Sequence, residues 1–149
     1  MSWTIDAIID RIRARTKTPG FVDWQQVHFL CDVASHLDPD TVVARLLDYS
    51  RNDTHDDRHD FLAQEYVGKI LWELRPKCTI PPADLLRPIL KTYEHSVEEI
   101  ACYLAANYGP DTVERTLDKL SDESLTAAEQ RSIHVLRYWL IGYRHTQPN

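Results

Sequence analysis

Apolar residues recur at intervals of three and four along almost the whole chain, with no apolar–polar alternation. That period marks helices that bury one side and leaves little room for strands. Ile5, Ile8, Ile9 and Ile12 make the first stripe, with Thr4 or Ser2 as its cap. Trp24, Val27, Leu30, Cys31, Ala34 and Leu37 line a second helix, which Asp23 and Gln26 would open as a capping box. Asp38 caps a third, with Pro39 at its first position, where a missing N–H costs nothing. A fourth carries Ala63, Val67, Ile70, Leu71 and Leu74, has Asp53 or Thr54 as its cap, and must end before Pro76. The loop from Lys77 to Pro81 marks the midpoint. Beyond it the plan repeats, with Pro88 set to kink the fifth helix and capping boxes at Ser96–Glu99 and Thr126–Glu129. The pattern predicts eight helices, over 3–15, 22–37, 39–51, 57–75, 82–93, 97–108, 110–121 and 126–143.

One segment occurs twice without gaps. CDVASHLDPDTV at 31–42 returns as CYLAANYGPDTV at 102–113. Cys31, Ala34, Pro39, Asp40, Thr41 and Val42 match Cys102, Ala105, Pro110, Asp111, Thr112 and Val113. Each copy ends one helix and starts the next. The repeating unit is a helix pair of about 37 residues, and the chain divides into an internal duplication at about 1–75 and 76–149 within a single domain.

These helix pairs resemble HEAT-like repeats. The resemblance rests on Pro88 breaking a first helix and on the second helices FLAQEYVGKILWEL, VEEIACYLAANYG and EQRSIHVLRYWL, apolar on two sides. It implies an all-α, right-handed stack of four antiparallel helix pairs, an α-solenoid with first helices convex and second helices concave. The concave side is where such proteins usually hold partners. The Asp and Arg positions usual in HEAT repeats have no clear match, which leaves an ordinary eight-helix bundle as the other architecture. In size, charge and implied fold the chain is also similar to some bacterial toxin-immunity proteins.

Composition narrows the function. A chain of 149 residues with 43% apolar and 27% charged residues is expected to be one soluble domain. The N-terminal MSWTIDAIID lacks a basic region followed by an apolar run, and three cysteines make no disulfide framework, so a cytoplasmic location is expected. A net charge of −6 disfavours nucleic acid and membrane surfaces and suits a basic protein partner.

No phosphate loop, nucleophile elbow or HExxH is present, so neither catalytic residues nor a cofactor are assigned. Two readings follow. In the first, the outward side of the second helices binds a protein through Asp32, Glu65, Lys69, Trp72, Glu99, Tyr103, His134 and Tyr138. Carboxylates would steer a cationic partner and aromatics would anchor it. Its concrete form is an immunity protein that covers a basic nuclease. Trp72, Tyr103 and Tyr138 could equally close gaps between helix pairs, as expected of Trp24 and Trp139. In the second, DTHDDRHD at 53–60 places His55 and His59 at i, i+4, with Asp56 or Asp60 nearby, for a divalent metal or a small enzyme site. A solvated helix start explains the same acids. Cys31 and Cys102 read as small apolar residues on helix faces, and Cys78 as an exposed loop thiol. Arg131, Arg137 and Arg144 on the last helix are the candidates for nucleic acid, against the net charge.

Overall fold

The computed structural model describes residues 3–18, 20–51 and 56–147, and these contain helices and connections but no strand. The helices are α1 (Ile5–Thr16), α2 (Trp24–Ala34), α3 (Pro39–Ser50), α4 (Asp57–Leu74), α5 (Pro82–Ile89), α6 (Glu99–Tyr108), α7 (Pro110–Ser121) and α8 (Ala127–Thr146). Their contacts sort into two rows. The odd helices touch in order, α1 to α3, α3 to α5 and α5 to α7, and the even helices likewise, α2 to α4, α4 to α6 and α6 to α8. Links between the rows join α1 to α2, α3 to α4 and α7 to α8, with α1 also on α4 and α6 on α7. Buried residues of all eight helices form one continuous cluster.

Most helix starts follow the residues that announced them. Thr4 accepts from the Ala7 N–H at 3.1 Å, Asp38 from that of Thr41 at 3.0 Å, and Thr126 with Glu129 closes a complete capping box. Each such cap contributes about 1 kcal/mol. Two expected boxes are absent. Asp23 caps α2 alone, because the Gln26 side chain accepts instead from Arg11 at 3.2 Å. Ser96 does not cap α6, which starts at Glu99 with no side-chain cap, and the Glu99 carboxylate is held by Lys69. Asp53 and Thr54 lie outside the described residues; the cap of α4 is Asp56, which accepts from the His59 N–H at 3.2 Å.

α5 ends at Ile89, short of the expected 93. Pro88 has no N–H to give back to the preceding turn, and the helix does not outlast it by more than one residue. Side chains take over the segment that follows. Ser132 donates to the Leu90 carbonyl at 2.7 Å, Gln64 to that of Thr92 at 2.6 Å, and Trp139 to that of His95 at 3.0 Å. The buried Gln64 also accepts from the Glu94 N–H at 2.7 Å, so both ends of its amide are used.

The midpoint crossing is built the same way. Arg75, the one non-glycine residue with positive φ (49°) among those described, turns the chain out of α4 in the left-handed conformation usual at a helix C-terminus. The extended stretch after it is pinned by α6. Tyr103 donates to the Pro76 carbonyl at 2.7 Å, Asn107 bonds both the N–H and the carbonyl of Cys78 at 3.1 and 3.0 Å, and Tyr108 donates to Ile80. From the other row, Asp40 receives both the N–H and the hydroxyl of Thr79. Cys78 is therefore buried against Tyr108, not an exposed loop thiol.

Candidate partner-binding face

The even row has helices on both flanks at its centre, so α4 and α6 keep only narrow accessible stripes. On α4 the stripe is Glu65, Lys69, Trp72 and Glu73; on α6 it is Glu98, Glu99 and Cys102. The outer helices flank them with broader exposure. α2 contributes Trp24, His28 and Asp32 at four-residue spacing, and α8 contributes His134, Tyr138 and Ile141. Direct contacts tie the stripes into one strip. Lys69 on α4 reaches Trp24 on α2 at 5.5 Å from the ring centre and Glu99 on α6 at 2.8 Å. The Trp72 ring meets Tyr143 of α8 edge to face at 6.4 Å.

Lys69 is the hub. Its ammonium bonds Glu99 and lies 3.7 Å from Glu65, one turn back on its own helix. All three side chains are largely buried, with 14–22% of their surface accessible. Burial alone would lower the Lys69 pKa. The Glu99 hydrogen bond and charge, reinforced by Glu65, reverse that and hold it above the ordinary value. Glu65 and Glu99 are thus committed to Lys69, and the triad presents one net negative charge. The carboxylates of the strip in no ion pair among the described residues are Asp32, Glu73 and Glu98. Glu73 and Glu98 were missed by spacing alone, although Glu73 stands four residues after Lys69.

Their field registers on the duplicated cysteines. Cys31 and Cys102 are half-buried on this same side. Burial, with Glu73 beside Cys31, lifts that thiol to about 11. Burial, with Glu98 and Glu99, lifts Cys102 to about 11 against the opposing charge of Arg75. Equivalent repeat positions therefore share an acidic, weakly ionising setting.

The aromatic residues divide differently from expectation. Tyr103 is 1% exposed and spends its hydroxyl on Pro76, so it belongs to the core and not to the face. Tyr138 is 62% exposed and Ile141 58%. Trp24 is 46% exposed over Lys69 and is no gap filler, whereas Trp139 is half-buried and bonded to His95. Tyr138, Trp139 and Ile141, with Glu98 and Cys102, line a hollow of about 290 Å³ at the α8 end. The strip therefore pairs unpaired carboxylates with exposed apolar anchors.

The remaining candidates do not converge. His55 lies outside the described residues. His59 Nδ1 is 2.7 Å from the Thr16 hydroxyl, and no group of three His, Cys, Asp or Glu residues able to hold a metal occurs among the described residues. On α8, Arg137 pairs with Asp118 at 2.6 Å and Arg144 with Asp111 and Glu114 at 2.6 and 2.8 Å, which offsets their charge. No helix among the described residues is long and apolar enough to cross a membrane. No protein-family model, no curated protein and no solved structure matches this chain.

Proposed function

We propose that this chain is a non-enzymatic protein-binding module whose even-helix side holds a basic partner. The single observation that carries the reading is the strip across four helices on which Asp32, Glu73 and Glu98 have no ion pair among the described residues and Trp24, Tyr138 and Ile141 are exposed. Unpaired carboxylates raise the rate at which a cationic surface arrives, and partly exposed aromatic and aliphatic residues supply the area that retains it. The contacts of α1 with α2, α3 with α4 and α7 with α8 support a HEAT-like stack of antiparallel pairs, although α5 and α6 make little contact, and we take that stack as right-handed with the even helices on the inner side. An inhibitor that covers a cationic nuclease, in the manner of an immunity protein, is the concrete form this takes.

The test is a titration of purified cationic nucleases with the wild-type chain and with Glu73→Lys/Glu98→Lys, at low and high salt. Association should slow about tenfold or more on charge reversal and on raising the salt, as steered encounters do. An association rate indifferent to both changes would refute the electrostatic reading. Substitution of Tyr138 and Ile141 by Ala should instead speed dissociation.

A further inference from the structure

An open hollow of about 520 Å³ adjoins this strip at Tyr143, between the C-terminus of α4, the 75–79 segment, α6 and α8. That volume is in the range of small-molecule sites. Its rim carries Arg75, Lys77 and Tyr143 above walls of Tyr103 and Asn107, and no carboxylate lines it. In a chain of net charge −6, that is an uncommon sign for a cavity.

We propose that this cleft binds a small organic anion, with the oxyanion head on Arg75 and Lys77. Neither cation has an ion pair among the described residues, whereas Arg87, Arg137 and Arg144 are each paired with carboxylates. Arg75 is also oriented before any ligand arrives. Its guanidinium lies 3.8 Å from the centre of the Trp72 ring, and its Nε donates to the Trp72 carbonyl at 3.0 Å. The two terminal NH2 groups remain to take an oxyanion end-on, through two parallel charge-assisted hydrogen bonds. A cation already fixed by stacking loses little freedom on binding. Lys77 adds a second charge two residues away. Tyr143, whose ring rests edge-on against Trp72, brings a phenol with no hydrogen bond among the described residues. The walls are rigid, because Asn107 is committed to Cys78 and Tyr103 to Pro76. Asp40, whose charge reaches Cys78 in the cleft wall, is occupied by Thr79.

The experiment is an amide NMR titration of the full chain with citrate and, separately, inorganic phosphate. The variants are Arg75→Asn, which suits the left-handed backbone, and Lys77→Ala, at an exposed position. Saturable shifts confined to residues 75–79, Asn107 and Tyr143, with affinity falling about tenfold or more in each variant, are the expected result. Citrate alone saturating assigns a carboxylate head, phosphate alone a phosphate head, and both an unselective oxyanion site. No saturation by either probe, or saturation undiminished in Lys77→Ala, overturns the proposal. Lys77→Ala keeps the test decisive if Arg75→Asn fails to fold.

Discussion

Gly68 offers a direct measure of how tightly the two central helices of the even row are set. It is buried in the middle of α4, where alanine is intrinsically better by about 1 kcal/mol. A Cβ built there would stand 3.1 Å from Val97 Cγ1, 3.3 Å from Glu99 Cβ and 3.4 Å from Ile100 Cγ1. Carbon pairs are at their optimum near 3.5–4.0 Å, so the contacts to Val97 and Glu99 are compressed and that to Ile100 is at the edge of ordinary packing. Burial and bonding hold these neighbours in place. Val97 and Ile100 are 0% and 1% exposed, and Glu99 is bonded to Lys69. Overpacking of this kind costs about 1–3 kcal/mol, which exceeds the helical gain. Gly68→Ala should therefore destabilise the chain by about 1 kcal/mol. Gly142→Ala is the matched control. Gly142 lies in α8 with nothing within 4 Å of its Cβ position, so there the helical gain stands alone at up to about 1 kcal/mol. The two substitutions should differ by about 2 kcal/mol in urea unfolding at unchanged slope, each kcal/mol moving the thermal midpoint by about 2–4 °C. If Gly68→Ala stabilises as much as Gly142→Ala, the close approach of α4 to α6 is not real, and the Lys69–Glu99 bond that depends on it falls with it.

Three further outcomes are expected. Tyr103→Phe should cost about 1–3 kcal/mol by urea unfolding, since the Pro76 carbonyl is left without its donor, whereas Tyr138→Phe should cost nothing measurable. Cys31 and Cys102, with thiols lifted from 9.0 to about 11, should react with iodoacetamide at pH 8 about 100-fold more slowly than an ordinary thiol, and a rate equal to that of a free peptide would contradict their setting. Asp40 is held below its ordinary value of 3.8 by the hydroxyl and N–H of Thr79, so its contribution is present above that pH and disappears as the pH falls through the lower folded value. Asp40→Asn should accordingly flatten the loss of stability below pH 4, and an unaltered acid limb would show that the Thr79 bonds do not persist in solution.

Period alone was enough to place all eight helices, because each has a polar side that makes its apolar stripe readable. Its errors fall where the backbone depends on something distant. α5 was extended past Pro88 because Leu90 and Tyr93 continue its stripe; the stretch is instead held from elsewhere by Gln64, Ser132 and Trp139. The same dependence explains why the candidate binding face was only half legible. α4 and α6 have neighbours on two sides, so an apolar or aromatic residue away from the main stripe can point to solvent or to the next helix, and spacing does not distinguish them. Tyr103 points inward because the carbonyl of Pro76 needs a donor there. Charge is subject to the same ambiguity. Glu65 and Glu99 read as free steering groups from the linear order, yet Lys69 draws in one from its own helix and one from 30 residues away. Once that pairing is made, the unspent charge passes to Glu73 and Glu98, residues with no local mark of their own. A surface that recruits by charge is thus decided by which carboxylates the fold has left over, and that remainder becomes countable only after the helices are laid side by side.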